Sequence, residues 1–310
     1  MEINYHLPSF TDHYSLNLLI FDYMKEHPEY FRDGIRIASA FGCFDGTIWN
    51  GGRNVRGKYN PEINKKILKE FNDRGIPLRF TFTNPVIEEK HLGDKDCNEI
   101  MELANNGLNE VIVMSPILEE YIRKNYPKYK ITSSTCKQIR DMNDLNAELD
   151  KDYNLVVIDY NWNNKFDELA LIKDKGRCEV LVNACCQPQC QRRGDHYSSI
   201  GKYQIKICTM AQTLGMNANN IVEEPFECKY MGYDIYEINK FETHVSPDDI
   251  ETKYVPLGFK QFKLEGRTVG DISMLEMYVY YFAKPEFERR VRLDLLKRLT
   301  GKVKYFNIIK

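Results

Sequence analysis

"LVVIDYNWNNKFDELALIKDKGRCEVLVNACC" (residues 155–186) decides the fold. Two short apolar, β-branched runs, 155–158 and 179–182, flank a stretch at 165–173 whose apolar residues recur at helical spacing. A strand, a helix and a second strand of similar length make a repeating unit, and the same unit recurs along the chain. Strands are expected at 35–40, 78–83, 110–114, 130–133, 155–158, 179–182, 243–245 and 261–264. Helices are expected at 61–73, 95–105, 117–126, 137–148, 165–173 and 273–283. Eight strands in this rhythm predict an α/β fold, a (β/α)8 TIM-like barrel, since no glycine-rich G-x-G-x-x-G turn follows the first strand to suggest an open dinucleotide-binding sheet.

Working outward, residues 1–30 read as an N-terminal helical segment, with Tyr14, Leu18, Phe21 and Met24 at helical spacing. No proline-, glycine- or serine-rich linker and no internal repeat divides the 310 residues, so a single domain over 1–310 is expected. Residues 187–242 form an elaborated, cysteine-bearing loop region after the sixth strand, and loops of that length usually carry function. Apolar residues at 43% and charged residues at 28% are ordinary for a folded protein, and a net charge of -2 provides no global field for nucleic acid or anionic lipid. The start of the chain has no basic segment followed by a long apolar run, which predicts a cytoplasmic protein with no membrane partner.

In such a barrel the chemistry lies where the strands end. Those positions are polar: Cys43 and then "WNGGR" (residues 49–53), Asn84, Ser115, Ser134 and Thr135, Asp159 to Asn161, Asn183, Ser246, and Glu265 to Arg267. Each alone has a bland explanation as a turn or cap; together they predict a pocket. In "WNGGR" the glycines permit close backbone approach to a ligand and Arg53 can hold a carboxylate, or the segment is a glycine turn with Trp49 packed beneath.

"NACCQPQCQRRGDH" (residues 183–196) concentrates three of nine cysteines. In a reducing compartment they are free thiols or metal ligands rather than disulfides. Cys186 and Cys190, with Cys208 and Cys228 from the loop beyond, can supply the four thiolates of a [4Fe–4S] cluster; zinc is the competing ion. Cys185 is a substitute for Cys186, and Cys43 a reserve ligand. Cys208, in "QIKICT", alternates as a strand residue and is equally a core position, while Cys97, Cys136 and Cys178 read as small buried hydrophobes. His196 is either an acid/base group at the rim or a solvent-facing loop residue.

The run Asn183, Cys186, Cys190, Arg193, His196 resembles the N-x-x-C-x-x-x-C-x-x-R-x-x-H signature of the U-32 peptidase family, the collagenase-like proteins. "VSPDDIETKYVPLGFKQFKLEGR" (residues 245–267) resembles that family's acidic segment and the strand ending in "EGR", and "ITSSTC" (residues 131–136) its fourth-strand segment. The resemblance implies a barrel with an oxygen-sensitive [4Fe–4S] cluster in proteins labelled peptidases or acting as prephenate-dependent hydroxylases on nucleic-acid bases or the ubiquinone ring. It carries over Cys186 and Cys190 as cluster positions and Arg193, His196, Glu265 and Arg267 as motif positions; Cys208 and Cys228 follow by order in the loop. After "EGR" one helical stretch and a short basic end, "LLKRLTGKVKYFNIIK", are read, in place of the further C-terminal domain expected of the larger members.

Three functions follow. In an iron–sulfur hydroxylase, Arg53 or Arg267 holds the carboxylates of a small-molecule substrate or donor, and Glu265 or His196 moves protons. A metal-dependent peptidase or hydrolase is the second, although neither H-E-x-x-H nor G-x-S-x-G occurs. The third is a non-catalytic barrel with a structural metal. Basic residues Arg289, Arg290, Arg292, Lys297, Lys302 and Lys304 form either a phosphate path for nucleic acid or a solvated helix face.

Overall fold

The computed structural model describes residues 2–52, 59–215, 226, 228, 235–266 and 269–301. Eight parallel strands close into a barrel in chain order: β1 (Ile3–Pro8), β2 (Ile35–Gly42), β3 (Leu78–Phe82), β4 (Glu110–Val113), β5 (Lys130–Ser133), β6 (Leu155–Val157), β7 (Cys178–Leu181) and β8 (Gln261–Lys263). Around them lie α1 (Tyr14–Glu26), α2 (Pro61–Asn72), α3 (Lys95–Leu103), α4 (Pro116–Asn125), α5 (Met142–Leu149), α6 (Phe166–Ala170) and α7 (Arg193–Leu214). The chain continues through α8 (Ile235–Ile238), α9 (Pro247–Asp249), α10 (Val255–Leu257), α11 (Asp271–Phe282) and α12 (Glu288–Gly301). Local chemistry starts the helices: Asn60, Asp94 and Asp141 accept from the first-turn amides of α2, α3 and α5, and Pro61 and Pro116 preset the backbone of α2 and α4.

The barrel is as expected, but its strands are not all the expected ones. β1 lies within 1–30, where a helical segment was predicted; α1 and a short 3-10 turn at Pro28–Tyr30 are the helical parts there. "INYHLP" hides because it is buried on both faces and places Asn4 and His6 where an inward strand position is normally apolar. Residues 243–245 are not a strand. Val245 N–H donates once to the Val182 carbonyl (2.9 Å), after which Ser246 caps α9 and Pro247 turns the chain into it. One missed strand and one surplus strand leave the total at eight, so the expected strands five and six are β6 and β7. The cysteine-bearing region 187–242 holds the 22-residue α7. Its buried positions are Arg193, Gly201, Gln204, Ile207, Cys208 and Ala211, a helical spacing in which only Ile207 is strongly apolar, so the helix is hard to see in "QIKICT".

Outside the sheet, Tyr5 packs on Phe262 and on Tyr281 and Phe282 of α11 in an apolar layer, each such ring being worth roughly 1.5–3 kcal/mol on burial. Inside, the filling is ionic. β3 and β7 lie on opposite sides of the closed sheet, so the 2.6 Å bond from Arg79 Nη1 to Glu179 Oε2 runs through the interior. Arg79 Nη2 donates to Thr132 Oγ1 of β5 (3.0 Å), and Arg79 Nε lies 3.4 Å from Glu110 of β4. From β8, Lys263 Nζ lies 3.1 Å from Glu179 Oε1 and 3.9 Å from the Phe41 ring centroid of β2. His6 of β1 spans Ser39 Oγ (2.7 Å) and Gln261 Oε1 (3.1 Å). Burial pushes His6 down to about 3, keeping it neutral near pH 7. Burial opposes the charge on Glu179, yet Arg79, Lys263 and His6 together hold its carboxyl well below the usual range.

Replacing Glu179 with Gln strands two buried cations, so Glu179→Gln is expected to lose about 3–5 kcal/mol in urea unfolding. Replacing Arg79 and Glu179 together by Met and Leu is expected to cost less than Glu179→Gln alone.

Outside the barrel, Glu148 of α5 accepts from Ser133 Oγ, Lys137 Nζ and Lys151 Nζ at 2.5–2.6 Å. Burial works against its charge, but these donors hold it at about 2 against an ordinary 4.5. A depressed carboxylate stabilises the fold above the unfolded value, and that contribution is lost as pH falls from about 4.5 toward about 2. Acid unfolding followed by circular dichroism is therefore expected to show a shallower dependence over that window in Glu148→Gln than in the parent.

Candidate active site

Three adjacent strand ends, those of β6, β7 and β8, bring an acid, two thiols and a phenol together. Just past β7, the Asn183 side chain behaves as an extra peptide: its Nδ2 donates to the Glu265 carbonyl (2.8 Å) and its Oδ1 accepts from Glu265 N–H (2.7 Å). That pairing extends β7 and β8 toward the mouth and aims Glu265 at the next turn, where Oε2 accepts the Cys185 N–H at 3.0 Å. Cys186 packs on Tyr160, Leu181 and Ala184. Burial pushes the Tyr160 phenol well above its ordinary value, and donation to the Cys186 thiol adds to that, while Arg193 pulls the other way.

The floor of this corner is a buried ion pair. Asp159, after β6, takes the N–H (3.0 Å) and Nδ2 (2.6 Å) of Asn161 on Oδ1, and binds Arg193 through Nη2 on Oδ2. Arg193 also donates from Nε to Gln138 Oε1 (3.1 Å), and its guanidinium lies 4.5 Å from the Tyr160 ring centroid. Asp159 and Arg193 are no more than 1% exposed, so Arg193 is a structural cation here rather than a free ligand for an anion.

Arg193 is the first residue of α7, which rises about 33 Å over its length. From Asp159 the helix runs along the carboxyl ends of the strands to the loops after β2 and β3. There the Gly201 carbonyl accepts from Asn84 Nδ2 (3.1 Å), and Gln204 Nε2 donates to the Thr47 carbonyl (3.0 Å). A Cβ on Gly201 would lie 2.1 Å from Asn84 Oδ1, so only glycine permits this approach. Asn84 also donates to the Ile48 carbonyl, which makes it a tie between loops. In "WNGGR" the packed alternative holds: Trp49 is buried and donates to the His91 carbonyl (2.8 Å), and a Cβ on Gly51 would lie 2.2 Å from the Thr83 carbonyl oxygen. Arg53 and Arg267 lie outside the described residues.

The thiols do not gather as a cluster requires. Cys186 and Cys190 stand in the turn before α7, whereas Cys208 is about 22 Å further along the helix than Arg193. Cys208 is buried, receives Gln204 Nε2 at 3.1 Å, and is pushed up to about 12 by burial and then by Asp94. The reserve ligand Cys43 is buried near Cys208, its sulfur 2.9 Å from Thr47 Oγ1. Cys228 is half-buried. Among the described residues no three His, Cys, Asp or Glu side chains are placed to share a metal ion. These residues do not fit a four-thiolate cluster as the fold arranges them.

His196 stacks on Phe226, with ring centroids 4.5 Å apart and planes at 6°. Cys97 and Cys178 are buried as expected; Cys136 is only half-buried. Of the basic C-terminal residues, Arg290 pairs with Asp294 (2.7 Å) and Arg292 with Glu276 (2.8 Å), which favours the helix-face reading; Lys302 and Lys304 lie outside the described residues. The interior ions Arg79, Glu179 and Lys263, together with His6 and His13, were missed from sequence, where the available signal was a charge within an otherwise apolar strand.

No family model and no curated protein matches this sequence. Among solved structures, the chain is similar to that of the U32 peptidase Mk0906, at 13% identity and a TM-score of 0.52, covering 86% of this chain and 93% of that one. The likeness is one of fold, and it is the fold that the motif resemblance implied. No described helix is long and apolar enough to cross a membrane.

Iron and acid-labile sulfide analysis of anaerobically isolated and reconstituted protein is expected to give well under four irons per chain. Four irons bound through Cys186, Cys190, Cys208 and Cys228 would require Cys208 to leave its buried seat on α7.

Proposed function

We propose that this chain is a hydrolase of amide bonds, with peptides as the substrate class, working at the β6–β8 corner of the barrel mouth. The observation that carries the reading is the Asn183–Glu265 pairing, which sets a carboxylate on the amide of Cys185, one residue from the Cys186 thiol. The structural neighbour, a U32 peptidase, suggests the substrate class; the corner supplies the groups. Cys186 is the nucleophile. Its sulfur attacks the scissile carbonyl carbon while Glu265 takes the thiol proton; Glu265 then protonates the departing amine as the carbon–nitrogen bond breaks. Water attacks the resulting thioester, with Glu265 accepting its proton, and releases the acid and the thiol. Tyr160 orients the sulfur from the β6 side, and the Asp159–Arg193 pair keeps Tyr160 in place.

This reading uses no cluster, and the hydroxylase reading that depended on four converging thiols is not carried forward. A panel of unstructured peptides and gelatin tests it. Turnover is expected for the parent, and a loss of roughly 100-fold or more for both Glu265→Gln and Cys186→Ala, with unchanged thermal unfolding. No cleavage by the parent, or full activity in both variants, overturns it and leaves a non-catalytic barrel.

A further inference from the structure

Glu265 is held from the β7 side by Asn183. On its other flank the chain passes through Gly266, and there a second clamp acts. His13, in the turn leading into α1 and 2% exposed, donates from Nε2 to the Gly266 carbonyl at 2.8 Å, and its Nδ1 meets Asp271 Oδ1, the first residue of α11, at 2.7 Å. One imidazole thus ties the end of β8 to the start of α11, bridging groups that lie more than 250 residues away along the chain.

The space around Gly266 has no slack. A Cβ there would lie 2.3 Å from Met274 Sδ of α11 and 3.1 Å from Pro8 Cγ of β1. The turn that presents His13 is equally fixed: Asn17 Nδ2 donates to the carbonyls of Pro8 (3.0 Å) and Ser9 (3.3 Å), and Tyr278 of α11 donates to Asn17 Oδ1 at 2.5 Å. His13 is therefore neither a solvent-exposed histidine nor a loosely packed core residue. Its two nitrogens are both engaged, and one partner is the peptide directly after the acid on which the proposed chemistry depends.

We infer that His13 is a positioning residue for Glu265. By fixing the Gly266 carbonyl it sets the backbone from which the Glu265 carboxylate reaches the Cys185 amide. It touches no reacting atom, so its removal acts on the acid's placement rather than on substrate binding. The inference rests on the reading of Glu265 as the proton acceptor, and the test separates the two.

The variants are His13→Leu, which has no donor; His13→Gln, whose amide retains one donor able to reach Gly266; and Asp271→Asn, which weakens the hold on the ring. The first readout needs no substrate: hydrogen exchange of the Cys185 amide, which reports the Glu265 bond. Protection at Cys185 is expected to drop at least tenfold in His13→Leu and to be largely restored in His13→Gln, with Asp271→Asn between them. Unchanged protection overturns the inference. The second readout is turnover on the peptide panel well below the unfolding temperature, where kcat is expected to fall 10- to 100-fold in His13→Leu with KM within twofold. A lowered melting temperature with kcat unchanged makes His13 merely structural and likewise overturns the inference. If Glu265→Gln keeps full activity while His13→Leu still loosens Cys185, the reading of the reaction is wrong but the clamp stands.

Discussion

A carboxylate on the barrel axis organises this molecule. Glu179 sits fully buried between Arg79 and Lys263, at 2.6 and 3.1 Å, with His6 Nε2 at 3.6 Å, so side chains from β1, β3, β7 and β8 meet at one group. Apolar packing is tolerant of small displacements, whereas an ion pair out of water is not, because separation leaves each partner with its full desolvation cost. The hydrophobic layer outside the sheet supplies stability. The charge inside ties opposite walls together and gives the closed sheet one register.

That register decides what stands at the mouth. Lys263, the last residue of β8, faces the interior at Glu179, and Glu265 follows two residues beyond the strand's end, roughly 7 Å nearer the mouth at the rise of an extended chain. Asn183 follows β7 by two residues, and its bonds to Glu265 prolong between side chain and backbone the pairing that β7 and β8 begin lower down. A slip of one residue in either strand would break the Asn183–Glu265 bonds and leave Glu179 without its lysine. Buried electrostatics and site geometry are thus one constraint seen at two depths.

How far this was legible in the sequence follows from the kind of signal each part leaves. The barrel was legible from the alternation around 155–186, because β6, α6 and β7 have strong and opposite periodicities. β1 was not: His6 belongs to the inner polar network and Asn4 bonds Glu2 and Arg36, so two polar residues within the strand erased its apolar pattern. Glu265 and Asn183 could be named as polar residues past strand ends, but their mutual hydrogen bonds depend on neighbours 82 residues apart and carry no local mark. Position 13 offers still less, since a buried histidine bridging two distant turns looks in sequence like any histidine near a helix start.

The thiols leave the opposite kind of signal, a conspicuous pattern whose meaning in space depends on what lies between them. Counting cysteines between 185 and 228 suggested four ligands for one centre, because a loop can fold any of its residues together. A helix cannot. Once residues 193–214 are helical, separation in sequence becomes separation in space at about 1.5 Å per residue, and Cys208 is carried away from Cys186 and Cys190. The anchors of α7 are at both ends and in the middle: Arg193 on Asp159, Gly201 on Asn84, and Gln212 on Asp94 and Asp96 at 3.1 and 2.9 Å. Bending it to reunite the sulfurs would break a buried ion pair and a contact too tight for any residue but glycine. Cys185 and Cys186 are left instead beside Glu265 and Tyr160, and the chemistry available to them is that of a thiol with an acid and a phenol for neighbours.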